Sequence, residues 1–196
     1  MKYNKLISFT VFILVFSSLL SCESKYSSLV KKEMASGEKY NSLVFDMKFG
    51  DTRQQFFETC MKLNKKGLVI QGPNNDYVEY KLPSNSKNSG EAVTMLFYGA
   101  FDERNVMIGM DMIFNYNGWS PWNKSLTSEN LAPSIRDTLE NWYPGNKFIE
   151  LKLPQTKKKA FVKVDGNRQI VMYPENSKDL VVKFQDLTYK YGSKFN

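Results

Sequence analysis

The chain has 196 residues, with 27 lysines and arginines against 20 acids, two cysteines and no histidine. Without histidine, Ser-His-Asp and Cys-His nucleophile systems are excluded, and the commonest general base and metal ligand are missing. The mild positive charge is spread along the chain and no recognition motif accompanies it, so nucleic acid is not an expected partner.

The N-terminus reads as an export signal. Met1-Lys2-Tyr3-Asn4-Lys5 is a positive start, and Leu6 to Leu20 is uncharged and apolar. That stretch is shorter than the roughly 20 residues needed to span a bilayer. Leu19-Leu20-Ser21-Cys22 then places a small residue before a cysteine, the pattern of a cleavage site. A thiol there can carry a diacylglycerol thioether, and the freed amine can be acylated. Each buried methylene contributes ~0.8 kcal/mol, so two or more chains hold a protein at a membrane where one does not. The tetrapeptide resembles the bacterial lipobox; an ordinary signal peptide or a short membrane anchor is the plainer alternative. The expectation is a leader over 1–21 and lipid attachment at Cys22. The mature chain would have 175 residues and a charge of +5, from 25 basic and 20 acidic residues. One cysteine, Cys60, would then remain, which cannot form an internal disulfide.

Residues 22–42 are rich in Ser, Lys and Glu with little apolar periodicity, and read as a flexible tether. A coil of about 20 residues has an r.m.s. span of roughly 25 Å. The body starts at 43. Thr52 with Gln55 forms a capping box. Phe56, Cys60 and Leu63 recur at i, i+4, i+7, Phe57 and Met61 widen the stripe, and Gly67 is a stop, which predicts a helix over 53–66. Strands are predicted at Val78–Leu82, Ala92–Tyr98 and Val106–Tyr116. The last alternates strictly, with Val106, Ile108, Met110, Met112, Phe114 and Tyr116 on one face. The loop 117–125 contains Trp119 and Trp122. A second helix is predicted at 128–143, with Leu131, Ile135, Leu139 and Trp142 on its buried side and Pro133 in its first turn. Strands follow at 147–153, 160–164, 168–173 and 180–187, with Asp165-Gly166-Asn167 as a hairpin turn. Residues 189–196 read as a frayed tail.

The fold class is therefore α+β: two helix-then-antiparallel-strand units, 43–116 and 126–188, forming a sheet with both helices on one face. Val44-Phe45-Asp46-Met47-Lys48-Phe49-Gly50-Asp51-Thr52, continuing into Phe56-Phe57 and Leu63-Asn64-Lys65-Lys66-Gly67-Leu68, together with Asn117-Gly118-Trp119-Ser120-Pro121-Trp122-Asn123, resembles an uncharacterised lipoprotein family of Bacteroidota. No catalytic residues follow from that resemblance. The doubled layout is also similar to β-lactamase-inhibitor-like and outer-membrane assembly lipoprotein domains, which implies protein–protein contact. Glu23 in place of an aspartate implies sorting to the outer membrane. The lack of an acidic run after Cys22 implies a periplasm-facing position.

Trp119 and Trp122 are the candidate binding residues. Two indoles in a polar loop can stack on a sugar ring or anchor a partner protein; alternatively they fold back over the edge of the core. Cys60 lies on an apolar stripe with nothing to activate it, and reads as structural. Asp102, Glu103 and Asp111 could supply a carboxylate pair of the glycosidase type, though Asp102-Glu103-Arg104 reads more simply as a turn. Asn74-Asn75-Asp76 has too few oxygen ligands for calcium, and Met107 to Met112 reads as sheet interior. Lys157-Lys158-Lys159 is either a solvated turn or a contact for anionic lipids or glycans. The expectation is a lipid-anchored, non-catalytic protein-binding or scaffold module with an envelope protein as partner and neither cofactor nor metal. A glycan-binding module is the alternative, and a carboxylate-dependent hydrolase the last.

Overall fold

The computed structural model describes residues 25–83, 88–153 and 158–192. The leader, Cys22 and Lys157 lie outside the described residues. The fold is mixed α+β with more strand than helix. Its elements are α1 (Lys25–Ala35), α2 (Arg53–Lys65), β1 (Val69–Gln71), β2 (Val78–Lys81), β3 (Val93–Phe101), β4 (Met107–Tyr116), α3 (Ser128–Trp142), β5 (Ile149–Lys152), β6 (Lys159–Asp165), β7 (Arg168–Pro174), β8 (Leu180–Asp186) and α4 (Leu187–Tyr191).

The eight strands form one sheet in the order β1-β2-β3-β4-β8-β7-β6-β5, with every neighbouring pair antiparallel. The chain builds β1 to β4 outward-in, then leaves the centre of the sheet through α3. It resumes at the far edge with β5 and returns by hairpins to pair β8 with β4.

Local chemistry sets the helix ends. The Gln55 amide donates to Thr52 Oγ1 at 3.2 Å and the Thr52 amide to Gln55 Oε1 at 2.7 Å, a complete capping box at the start of α2. At its end the Gly67 amide donates to the Asn64 carbonyl and the Leu68 amide to the Leu63 carbonyl. Phe56 and Cys60 of α2 share one buried cluster with Leu131, Ile135 and Leu139 of α3 and with Phe97, Met112 and Val182 of the sheet. Phe56 is fully buried, with edge contacts to Tyr98 at 5.2 Å and Phe101 at 5.7 Å. Removing a side chain of that size from water contributes about 1.5–3 kcal/mol.

Several expectations are corrected. Residues 25–35, read as part of a coil tether, are helical: Val30 of α1 is buried against Val162, Val164 and Leu187, on the other side of the sheet from Phe56. The start of the supposed tail is helical too, because the Asp186 carboxylate caps α4 by accepting from the Thr188 amide at 2.9 Å. Strict alternation in β4 fails at Ile108. The register shifts between Ala100 and Phe101, a bulge that turns Met107 inward and leaves Ile108 half-exposed. Pro133 is the sixth residue of α3, past the first turn; the carbonyl it leaves without an amide belongs to exposed Glu129. Trp142 is exposed, and its neighbour Tyr143, where the helix unwinds, turns inward onto Phe184 with ring centroids 5.1 Å apart. Phe57 and Met61 do not widen the buried stripe; both are exposed.

Candidate functional site

The Trp119/Trp122 loop is tied down by backbone bonds. The Asn117 amide donates to the Ala92 carbonyl, Gly118 to Gly90 and Trp119 to Tyr116. Thr94 Oγ1 donates to Asn117 Oδ1 at 2.7 Å, and Asn130 at the start of α3 donates to the carbonyls of Lys124 and Ser125. On this frame the indoles part company. Trp122 is 87% exposed, whereas Trp119 is half-buried with Lys178 Nζ 5.8 Å from its ring centroid. The loop thus presents one free indole, not a two-ring platform.

The carboxylates considered for catalysis are not brought together. Asp102 accepts from the Val106 and Arg104 amides, each at 2.9 Å, as a turn cap. The Val106 amide, helped by Arg104, holds its carboxyl below the usual aspartate value. Asp111 lies five strand residues beyond Val106, about 17 Å at the rise of a strand, where it faces Lys183 at 3.6 Å. Glycosidase carboxylate pairs stand roughly 5–9.5 Å apart. Burial pushes the Cys60 thiol up to about 11, so it stays protonated at neutral pH. Among the described residues no three His, Cys, Asp or Glu side chains are placed to share a metal ion. Asn75, in the Asn74-Asn75-Asp76 turn, accepts from Gln71 at 2.6 Å. Met107, Met110 and Met112 are core. Lys158 pairs with Glu175 at 3.0 Å and Lys159 with Glu150 at 2.8 Å.

Two features were not foreseen. The first is an apolar groove of about 370 Å³ between α2 and the sheet edge at β1, lined by Phe57, Met61, Ile70 and Tyr98 among others. Phe57, Met61 and Ile70, with nearby Leu68, make up four of the eight large apolar side chains exposed among the described residues. Exposed Lys62, Lys65 and Lys66 flank it.

The second is a charged cluster at the β6–β7 hairpin. Gly166 turns the chain with φ +50°, and a Cβ there would collide with the Glu38 carbonyl. The Asn167 side chain accepts from the Tyr40 amide at 2.6 Å and donates to Asn41 and Asp186, which straps residues 38–42 over the hairpin. Beneath the strap, Lys163 pairs with Asp165 at 2.8 Å and Arg168 with the same carboxylate at 3.3 Å. All three side chains are at most 4% exposed. Lys163 also donates to the Asn146 carbonyl, the Asn146 amide donates to Asp165 at 2.8 Å, and Gly145 lets that turn approach, since a Cβ would overlap the Asp165 carboxylate. Arg168 donates to the Ser42 carbonyl at 3.2 Å and lies 4.5 Å from the Tyr143 ring centroid and 5.5 Å from that of Tyr40. Its Nε has no hydrogen-bond partner among the described residues.

Arg168 borders a cleft of about 490 Å³ whose other walls are mainly apolar or aromatic: Tyr40, Phe45, Tyr80, Met95, Trp142 and Tyr143 among them. Phe45 enters it from a left-handed backbone, φ 56° and ψ 37°. A bulky residue held there costs ~1–3 kcal/mol and persists only where its surroundings enforce it; here edge packing on Tyr80 at 5.1 Å does so. In sequence, Lys163 and Arg168 are ordinary polar members of two predicted strands. The one available signal was that Val162 and Val164 alternate with Phe161, marking β6 as covered on both faces.

No protein-family model, curated protein or solved structure matches the chain.

Proposed function

We propose that this chain is a non-catalytic binding protein of the cell envelope, anchored by lipid at Cys22 and contacting a protein partner through the α2–β1 groove. The carrying observation is the gathering of exposed Phe57, Met61, Leu68 and Ile70 at one sheet edge. An apolar surface of that kind, rimmed by charge, is the usual anatomy of a protein contact. An edge strand also offers backbone groups for a partner's strand. The flanking lysines favour an acidic rim on the partner. Exposed Trp122 is a second anchor at a separate site, equally able to meet a protein or stack on a glycan. Outer-membrane, periplasm-facing placement, the likeness to a Bacteroidota lipoprotein family and the reading of the two halves as related units belong to this proposal.

The test is co-purification of the tagged full chain from solubilised envelopes. Phe57→Glu/Met61→Glu alters exposed positions only, so the fold is retained. Loss of a wild-type partner from this variant supports the groove, and retention of every partner refutes it. Trp122→Ala, assayed in parallel and on envelope glycans, decides whether the loop contributes.

A further inference from the structure

The stretch expected to hold the body away from its anchor is not free to do so. A flexible coil of about 20 residues spans roughly 25 Å. Helix α1 takes up that slack from Lys25 onward, because it is docked on the sheet. Val30 is buried against Val162, Val164 and Leu187, Tyr26 Oη donates to Gln169 Oε1 at 2.6 Å, and the Gly166 amide donates to the Glu33 carboxylate at 3.0 Å. Cys22 precedes Lys25 by three residues, and three residues reach at most ~11 Å when fully extended. A lipid on Cys22 therefore holds the body against the bilayer by the start of α1.

The surface at that place is basic and aromatic. At about 100° per residue, Lys25, Ser28, Lys31, Lys32 and Ala35 fall on one side of α1, and all of them are exposed. That side carries three lysines and no acid. The one acid of the helix, Glu33, is turned in to the Gly166 amide. Helix α4 extends the patch: Tyr191 packs in the same cluster as Tyr26, and beside it Lys190 and Tyr189 are exposed. Lysines next to tyrosine rings suit an anionic headgroup layer. The ammonium groups meet the lipid charge, and an amphipathic ring sits at the boundary of water and hydrocarbon. Lys62, Lys65 and Lys66 of α2 make a second basic group, but α2 packs on the other side of the sheet, away from the anchor.

We infer that the outward side of α1, together with α4, is the membrane-facing surface of this protein, with Lys25, Lys31, Lys32 and Lys190 on anionic phospholipid headgroups and Tyr189 at the interface. This orientation rests on the proposed lipid at Cys22, which brings that surface to the bilayer. It turns the α2–β1 groove, across the sheet, toward the aqueous space where a partner can reach it.

The chain from Cys22 onward keeps every residue of the described fold. Coupled through the Cys22 thiol to a maleimide-bearing lipid in vesicles of phosphatidylcholine and phosphatidylglycerol, it tests the orientation. Cys60 is buried and stays uncoupled. The coupling supplies the anchor whether or not a cell acylates Cys22, so a wrong orientation and a wrong lipid site give separate results. Acetylation of each lysine is followed by peptide mass spectrometry. Lys25, Lys31, Lys32 and Lys190 react several-fold more slowly on the vesicles than in the uncoupled chain, while Lys62, Lys65 and Lys66 react as before. In a second measurement the uncoupled chain is sedimented with phosphatidylglycerol vesicles at low salt. Lys25→Gln/Lys31→Gln/Lys32→Gln, all exposed positions, weakens that binding by at least ~10-fold, and Lys62→Gln/Lys65→Gln/Lys66→Gln changes it less than ~2-fold. Equal reactivity of the two lysine groups on vesicles, protection of the α2 group instead, or an α1 variant that binds phosphatidylglycerol like the unaltered chain overturns the inference.

Discussion

One side of the sheet is built in two ways. At its centre Met95, Phe97, Met110, Met112 and Phe114 are fully buried and wholly apolar. At the β6–β7 hairpin the same layer continues through Ile170 to Lys163, Asp165 and Arg168, as the pairing of Lys163 with Ile170 and of Asp165 with Arg168 requires. The centre needs no partner but its own packing. The hairpin end buries charge, which apolar replacements of equal volume would often match or better by ~1–4 kcal/mol. Stability alone therefore does not account for the cluster. It does tie the 38–42 strap and the 144–146 turn to the hairpin, and those segments wall the cleft.

The largest effects set the two regions side by side. Phe56→Ala opens a cavity in the apolar centre and costs about 3–5 kcal/mol. Asp165→Ala removes far fewer atoms yet costs a similar ~3–5 kcal/mol, because two buried cations lose their carboxylate. Urea unfolding of both variants checks this. A cost below ~1 kcal/mol for Asp165→Ala would mean that the cluster is hydrated, and would break the comparison.

Smaller effects follow. Thr52→Ala removes one arm of the α2 capping box and lowers stability by ~1 kcal/mol in the same assay. Acid sensitivity comes next. The Lys147 ammonium, 2.6 Å away, holds Glu140 below its ordinary 4.5. The unfolded chain then binds more protons across that window, so the contribution is complete above the unfolded value and disappears as pH falls through the folded one. The urea midpoint should fall as pH drops below 4.5, and Glu140→Gln should flatten part of that decline. Smallest is the response of Cys60: with its thiol pushed up to about 11, iodoacetamide at neutral pH leaves it unmodified in the folded chain and alkylates it in urea.

Where structure follows from local chemistry, the sequence was sufficient. Thr52 and Gln55 announce α2, and Asp165-Gly166-Asn167 announces the hairpin, because each signal is complete within a few residues. Helix α1 was missed because Tyr26, Leu29, Val30 and Met34, its packing side, are interrupted by serines and lysines; the helix is made by the sheet it covers. The turn of Ile108 away from the core depends on a bulge against β3, which no single strand encodes. The groove was hidden because Phe57 and Met61 have helical spacing like core residues, and only the position of β1 leaves them uncovered. The cleft was hidden most thoroughly. Its walls come from residues 40, 42–45, 80, 95, 142–144 and 168, which only the folded chain assembles.

The groove and the α1 surface acquire a cellular meaning only if the chain is held at a membrane, and the covalent state of the N-terminus decides that. Intact-mass and N-terminal peptide mass spectrometry of the protein taken from its own envelope measures it directly. The account predicts a chain beginning at Cys22 that carries diacylglycerol and acyl mass on that residue. A chain that keeps residues 1–21, or begins elsewhere without lipid, would contradict it.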